Sequence, residues 1–552
     1  MRLKLRMTSK LVLGKAFKKA PVLLMLLLLV LSFNLPVTSA SAQASGLYDY
    51  EFIVDKEGFT IVNITFSSES AEGSSWVFVP KYFEWTNCTL KGRVTDWYLG
   101  ETENVTDGSY YFYQALYFSF RSDGAEFVMN VQFNLSTSAM IIEPDGIFYS
   151  PQIGFEDGNR FEARVILPLS FTINEAMAFS NTSSYQPKST SPGLIVFDNI
   201  PETENLMRIE VGFKIQNATA QLLQLRNGIF TFETVPRYTE YALSILDLYN
   251  KTYNELVDLF NVTLESATVR FFLPDFESLF TIGGYVPFTP EGIGDIHINI
   301  VFTRYVEGYI EVIALHELVH HFLWKAGVSP EALLWFHEGM AQYISMEIAD
   351  EIGYEGVQTM KQEIQLSVSS LIGSIGNDIG FLKSWSPASQ PSNIGVYYVA
   401  AYHITSSLAE NYSGLPYYSQ FFKLMKGKTI DNNVMLGYYL SLAAQKSVVG
   451  KLNDWGFDLP DLYLYAPVLS EVETVLNDVN SYYQPYKFLA GLLYEQAIDN
   501  AKQETVTEMH LYLAAALMIA RLAPLLTLIT VSGLLFAALM WILKTKGVFS
   551  PH

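Results

Sequence analysis

The sequence predicts a multidomain α+β protein. An N-terminal antiparallel β sandwich or saddle domain comes first, followed by a mixed helix-rich domain, a C-terminal helical segment and one transmembrane helix. Three observations predict this order. Apolar and polar residues alternate with period two to about residue 215, helical periodicity takes over near residue 240, and residues 522–543 carry no charge. At 552 residues the chain is also too long for one ordinary domain.

Residues 1–42 read as a secretory signal peptide. Arg2, Lys4, Arg6, Lys10, Lys15, Lys18 and Lys19 form its basic region, residues 21–31 (PVLLMLLLLVL) its apolar core, and Ala40-Ser41-Ala42 its small-residue cleavage site. Asn34 and Pro36 keep the apolar run shorter than a bilayer span.

The β-rich domain is expected over residues 46–225. Residues 59–66 (FTIVNITF), 110–120 (YYFYQALYFSF), 126–133 (EFVMNVQF) and 161–169 (FEARVILPL) alternate and are bounded by turn signals, which is strand patterning. No catalytic constellation lies there, so packing or recognition is its expected role. Cys88, the single cysteine, excludes an intramolecular disulfide and reads as a small buried apolar residue. Sequons at Asn63, Asn87, Asn104, Asn134, Asn181, Asn217, Asn250, Asn261 and Asn411 make the N-terminal half the expected glycan-bearing surface.

The second domain is expected over residues 226–470. Residues 240–260 read as an amphipathic helix and 267–273 as a strand; a glycine-rich loop at 283–294 leads into a strand at 297–302 (HINIVF). Helices follow to about Lys446, with a closing turn at 455–459 (WGFDL). Residues 471–520 read as a helical stalk or cap. Residues 522–543 are long enough to cross the hydrocarbon core, and Lys544 and Lys546 in the tail at 544–552 place that side in the cytoplasm and the body outside. Whether residues 511–520 extend the span stays open, because Arg521 and Pro524 interrupt the run.

Lys and Arg number 35 against 56 Asp and Glu, a net charge of −21 that argues against a nucleic-acid partner. Four of the eight histidines nevertheless gather within residues 316–343 (HELVHHFLWKAGVSPEALLWFHEGMAQY). Residues 309–326 have helical periodicity ending at Gly327; Ser329 as N-cap and Pro330 in the first turn predict a second helix to about residue 348. His316 and His320, four apart, leave one helix face at adjacent turns and can grip one cation. Glu317 can reach a water on that cation without being a ligand. Seventeen residues separate His320 from Glu338, and an antiparallel return can bring that carboxylate in as third ligand. Two imidazoles and a carboxylate, with one position open, are the catalytic form of a zinc site; Glu317 is then placed to accept the proton of an attacking water. His321, His337, His297 and Gln342 carry packing or supporting roles, with His337 and Gln342 as candidate supports of Glu338.

These motifs resemble the gluzincin metallopeptidases, most closely the branch of membrane alanyl-type aminopeptidases and the wider peptidase MA-like proteins. The resemblance covers residues 267–459 and rests on HELVH at 316–320, WFHEGMAQY at 335–343 and, more weakly, YVAAYHITSSL at 398–408. It implies a thermolysin-like domain, one Zn²⁺ per chain held by His316, His320 and Glu338, Glu317 as general base, and a peptide or protein substrate. It also implies that Tyr398 donates to the oxyanion, with Tyr397 and Tyr402 as competitors, and that the β module corresponds to those enzymes' saddle domain. Two features depart from that branch. Its Gly-x-Met-Glu-Asn loop, whose glutamate binds a free substrate amine, is replaced by Gly283-Gly284-Tyr285-Val286-Pro287, with Glu291 as the next carboxylate, and the spacing to Glu338 is one residue shorter. Endopeptidase and aminopeptidase both stay open. So does a catalytically inactive surface binding or structural protein on the same scaffold, although a scaffold would not require Glu317.

Overall fold

The computed structural model describes residues 45–546 apart from 82, 101–112, 123, 125, 136–137, 181–182, 276–281, 290–291, 305–306, 390 and 504. The expected signal peptide, Glu291 and the sequons at Asn104 and Asn181 lie outside these residues. The architecture is mixed α+β, with many antiparallel strand pairs and eleven α-helices among the described residues.

The N-terminal strands alternate buried and half-buried positions, as in Leu47–Val54 and Thr60–Ser68. Their inward residues join those of three sheets in one apolar cluster centred on aromatics such as Tyr48, Phe52, Phe66, Phe120 and Phe155. One expectation needs correction here. Leu47–Val54 pairs antiparallel with Thr60–Ser68 but parallel with Arg160–Ile166, so the sheet is not purely antiparallel. Strands this far apart in sequence need no hairpin, and the long intervening chain supplies the crossover that parallel pairing requires. Cys88 is exposed, not buried, because Trp85–Lys91 is the last strand of the seven-stranded sheet and is open on both faces.

The second unit includes helix α1 (Thr239–Phe260), and the β module meets the turn leading into it: Tyr238 Oη accepts from Ile141 N at 2.7 Å, and Arg237 pairs with Glu143. A five-stranded sheet follows the order Leu223–Asn227, Phe230–Thr234, Ala267–Phe272, Ile296–Asn299, Gly284–Tyr285, with both inner pairings on Ala267–Phe272 parallel. The strand expected at 297–302 stops at Asn299, whose side-chain oxygen accepts from Val301 N and turns the chain into a 3₁₀ segment. The glycine-rich loop contains the edge strand Gly284–Tyr285 and a small hairpin pairing Phe288–Thr289 with Gly292–Ile293.

Helix α2 (Tyr309–Lys325) ends as expected, with Gly327 at φ +87° and Val328 N bonding back to Leu323 O. Helix α3 (Leu334–Ile352) begins later than Ser329 and Pro330 suggest. The Ser329 N–H is used on Ile430 O and its hydroxyl on Glu331, so neither caps a helix there. Helices α4 (Glu355–Ile375), α5 (Ile394–Tyr412), α6 (Leu415–Met425), α7 (Asn433–Ala444) and α8 (Val449–Asp454) complete this unit.

Three more helices close the chain: α9 (Ala466–Asp478), α10 (Tyr486–Lys502) and α11 (Val506–Thr545). Residues 511–520 are therefore the first part of one 40-residue helix that continues through Arg521 and Pro524. Its first half, reaching into the uncharged run, packs against α10, with Ala490, Ala497 and Ala501 of α10 and Ala516, Ala520 and Ala523 of α11 buried between them, and this packing carries the helix across the proline. Helix α11 is long and apolar enough to cross a membrane, and its most apolar stretch is unburied by protein.

Candidate metal centre

Helix α2 is apolar nearly all round because it is enclosed by the sheet, α1 and α3. His316, Glu317 and His320 therefore leave it inside the protein, where a polar group needs a partner. Helix α3 returns antiparallel and supplies one. Glu338 Oε2 stands 3.1 Å from His316 Nε2 and 3.5 Å from His320 Nε2, and the donor atoms of the three residues all lie within 4.8 Å of one another.

Tetrahedral ligands bonded at about 2.0–2.1 Å to one zinc ion stand about 3.3 Å apart. The two distances to Glu338 bracket that edge, and imidazole plus carboxylate is a donor set that suits a borderline divalent cation. His316, His320 and Glu338 can thus hold a metal ion together.

The electrostatics follow from burial. Desolvation disfavours a charged Glu338, but His320 and the hydrogen bonds from both imidazoles outweigh it and hold the carboxyl well below its usual range. Burial likewise opposes charge on His320, and the Glu338 carboxylate reverses that, raising its pKa. Glu317 stands outside the trio of converging donors and is 4% exposed; burial pushes it up to about 7, against the pull of His316 and His320 and with the push of Glu338.

Two close approaches position these groups. Gly339 lets α5 dock on α3 beside Glu338: a Cβ there would stand 2.5 Å from Ala401 O, and Thr405 Oγ1 donates to Gly339 O at 3.0 Å. Helix α5 thereby brings Tyr398 to the site. Glu338 first, then burial and Glu317, raise the Tyr398 pKa well above its usual value, so its hydroxyl remains a donor; its ring packs edge-on against Trp385 at 5.2 Å. Tyr397 instead packs on Phe381 and Trp385, and Tyr402 is buried toward Glu347, Lys361 and Glu410. The site carboxylates raise Tyr398, whereas the carboxylates that raise Tyr402 are Glu347 and Glu410. The second approach is Gly284, whose added Cβ would lie 2.8 Å from both Cγ and Oε1 of Glu317 and 2.9 Å from His297 O. The edge strand therefore runs directly over the Glu317 carboxylate.

The remaining histidines take bland roles. His337 Nε2 bonds Val328 O at 2.9 Å and the ring stacks on His320 at 5.7 Å, so it does not orient Glu338; burial lowers it to about 3 and keeps it neutral. His321 bonds the Gly294 backbone and burial lowers it to about 4. His297 stacks on Tyr285 across the strand pair at 4.5 Å. Among the described residues no bond joins Gln342 to Glu338, and its carbonyl accepts from Ser345. Sequence reasoning missed Phe288, which stands edge-on to both His320 and His337 at 5.9 and 5.8 Å and walls the site on the hairpin side. An aromatic residue after a glycine-rich stretch was the available signal.

No protein-family model matches the chain, and no curated protein matches it.

Proposed function

We propose that this chain is a membrane-anchored zinc metallopeptidase of thermolysin-like design that hydrolyses peptide bonds outside the cell. The observation that carries the reading is the meeting of His316, His320 and Glu338, with Glu317 buried on the same helix beside them. Zinc held by those three residues would polarise a scissile carbonyl and bring the pKa of water from 15.7 to about 7. Glu317 accepts the proton of the attacking water and returns it to the leaving amine. Tyr398 donates a hydrogen bond to the oxygen that gains negative charge, a role that requires the protonated phenol its surroundings favour. Among the described residues Gly284–Tyr285 is the last strand of its sheet, so its outer edge can pair with an extended peptide and lay it across Glu317. Phe288 helps to exclude water.

Residues 283–289 (GGYVPFT) carry no carboxylate to bind a free amine at that strand, which favours internal cleavage over removal of N-terminal residues. The test is a digest of a peptide library with free and blocked N-termini by the full chain in detergent, with metal analysis of the same sample. About one zinc per chain and cleavage of blocked peptides are expected, with Glu317→Gln keeping the metal and losing roughly 10²–10⁴-fold in rate. Metal without cleavage of any peptide would make the chain an inert binder. Cleavage unaffected by Glu317→Gln would assign the chemistry elsewhere.

A further inference from the structure

The segment between α9 and the body of α10 has an unusual composition for a water-exposed turn. From residue 479 to 494 (VNSYYQPYKFLAGLLY) the one charged residue is Lys487, and four of the residues are tyrosine and one phenylalanine. Tyr482 is 85% and Phe488 62% exposed, and Leu489 and Leu492 are exposed beside them. Positions 488, 489 and 492 share one face of α10, while Ala490 and Ala497 face α11. The apolar face is therefore turned away from the protein.

Its level along α11 tells what covers it. Tyr486 Oη meets Thr530 Oγ1 at 2.6 Å, and the 3₁₀ turn Ser481–Tyr483 packs against the same helix. Thr530 is eight residues past Leu522, about 12 Å into the uncharged run at 1.5 Å per residue. Whatever lipid surrounds that part of α11 must also surround the segment docked on it. Two polar features agree with this depth. Arg521, just before the run, is paired with Glu471, which marks the aqueous level, and the Lys487 ammonium turns back to bond Val479 O.

We propose that residues 481–492 form a second, non-spanning membrane element: an aromatic wedge seated in the interfacial layer of the bilayer on the side of the folded body. Tyrosines suit that layer because their rings enter the acyl boundary while their hydroxyls reach water or polar partners. The wedge and α11 together hold the body by two contacts at fixed height and tilt, where a lone helix would leave it free to swing. This inference rests on α11 spanning the membrane and is independent of hydrolysis.

Depth measurement tests it. The full chain carrying Cys88→Ser is reconstituted in phospholipid nanodiscs with a single nitroxide at Tyr482→Cys or Phe488→Cys, with Leu534→Cys in the span and Leu243→Cys on exposed α1 as references. Relaxation by dissolved oxygen and by a water-soluble nickel chelate is then compared. Labels at 482 and 488 are expected to report an interfacial depth, between those of Leu534 and Leu243, with nickel accessibility several-fold below that at Leu243. If they match Leu243, or are shielded from both reagents as under a second copy of the chain, the wedge is overturned. If the label at Leu534 itself reads as aqueous, the spanning assignment fails and takes the wedge with it.

Discussion

The close passage of the edge strand over Glu317 makes Gly284→Ala a sharp perturbation. The added methyl carbon would be 2.8 Å from Glu317 Cγ and Oε1 on one side and 2.9 Å from a backbone oxygen, His297 O, on the other. The strand cannot retreat without breaking its pairing of Gly284 with Ile298, so the carboxylate must move. Overpacking of this kind costs about 1–3 kcal/mol, which at about 2–4 °C per kcal/mol is a fall in Tm of roughly 2–12 °C. A displacement of about 1 Å in a catalytic group costs on the order of 10²-fold in rate. At saturating peptide, kcat should therefore drop by about that factor while metal content stays at wild-type level, because none of the three converging donors is among the atoms nearest to the new methyl group. Gly283→Ala is the control: its methyl would meet the flexible Ile313 side chain at 3.1 Å and not the base. Wild-type kcat in Gly284→Ala, or an equal loss in Gly283→Ala, would refute the assignment of Glu317 and the strand above it.

Three further outcomes are expected. Tyr398→Phe should lower kcat by about 10²–10³-fold with little change in KM, as for loss of one oxyanion donor, and Tyr402→Phe should not; the reverse pattern would move that role. A metal chelator should lower Tm and zinc should restore it, since a cation at about 1,000 times its Kd adds about 4 kcal/mol to the folded state; a Tm indifferent to both would mean that His316, His320 and Glu338 share no ion. In the β module, burial pushes Glu210 up to about 8, against the pull of Arg208 and with the push of Glu175, and its Oε2 has no hydrogen-bond partner among the described residues. A carboxyl whose folded pKa lies above its unfolded value contributes stability that is full below about 4.5 and lost as pH rises through 8. Denaturant melts should show that decline, up to a few kcal/mol, and Glu210→Gln should flatten it; an unchanged slope would assign the pH dependence to other groups.

The parts of this architecture that were legible in the residues are those set by local periodicity. The helix over Thr239–Phe260 and the strands over Thr60–Ser68 and Phe127–Leu135 announce themselves because each buries one face at its own repeat. Local signals misled where a distant partner took the group in question. Ser329 resembles an N-cap, yet pairing of this backbone with Ile430 holds it extended, and the helix begins only at Leu334. Cys88 resembles a core residue, yet its strand ends up on an open edge. Arg521 and Pro524 leave open whether residues 511–520 join the span, and those residues form one helix with it.

By itself, then, the sequence determined that His316 and His320 share a helix face, since four residues are close to one turn, and that residues 522–543 are fit for hydrocarbon, since composition alone sets transfer free energy. Tertiary structure decided that Tyr398 comes near enough to Glu338 to feel its charge, that Gly284 lies over Glu317, and that Tyr486 sits at the level of Thr530. These are contacts between segments tens of residues apart. Their partners are chosen by packing of whole elements, through close approaches such as that of Gly339 to Ala401, and no repeat within either segment encodes them.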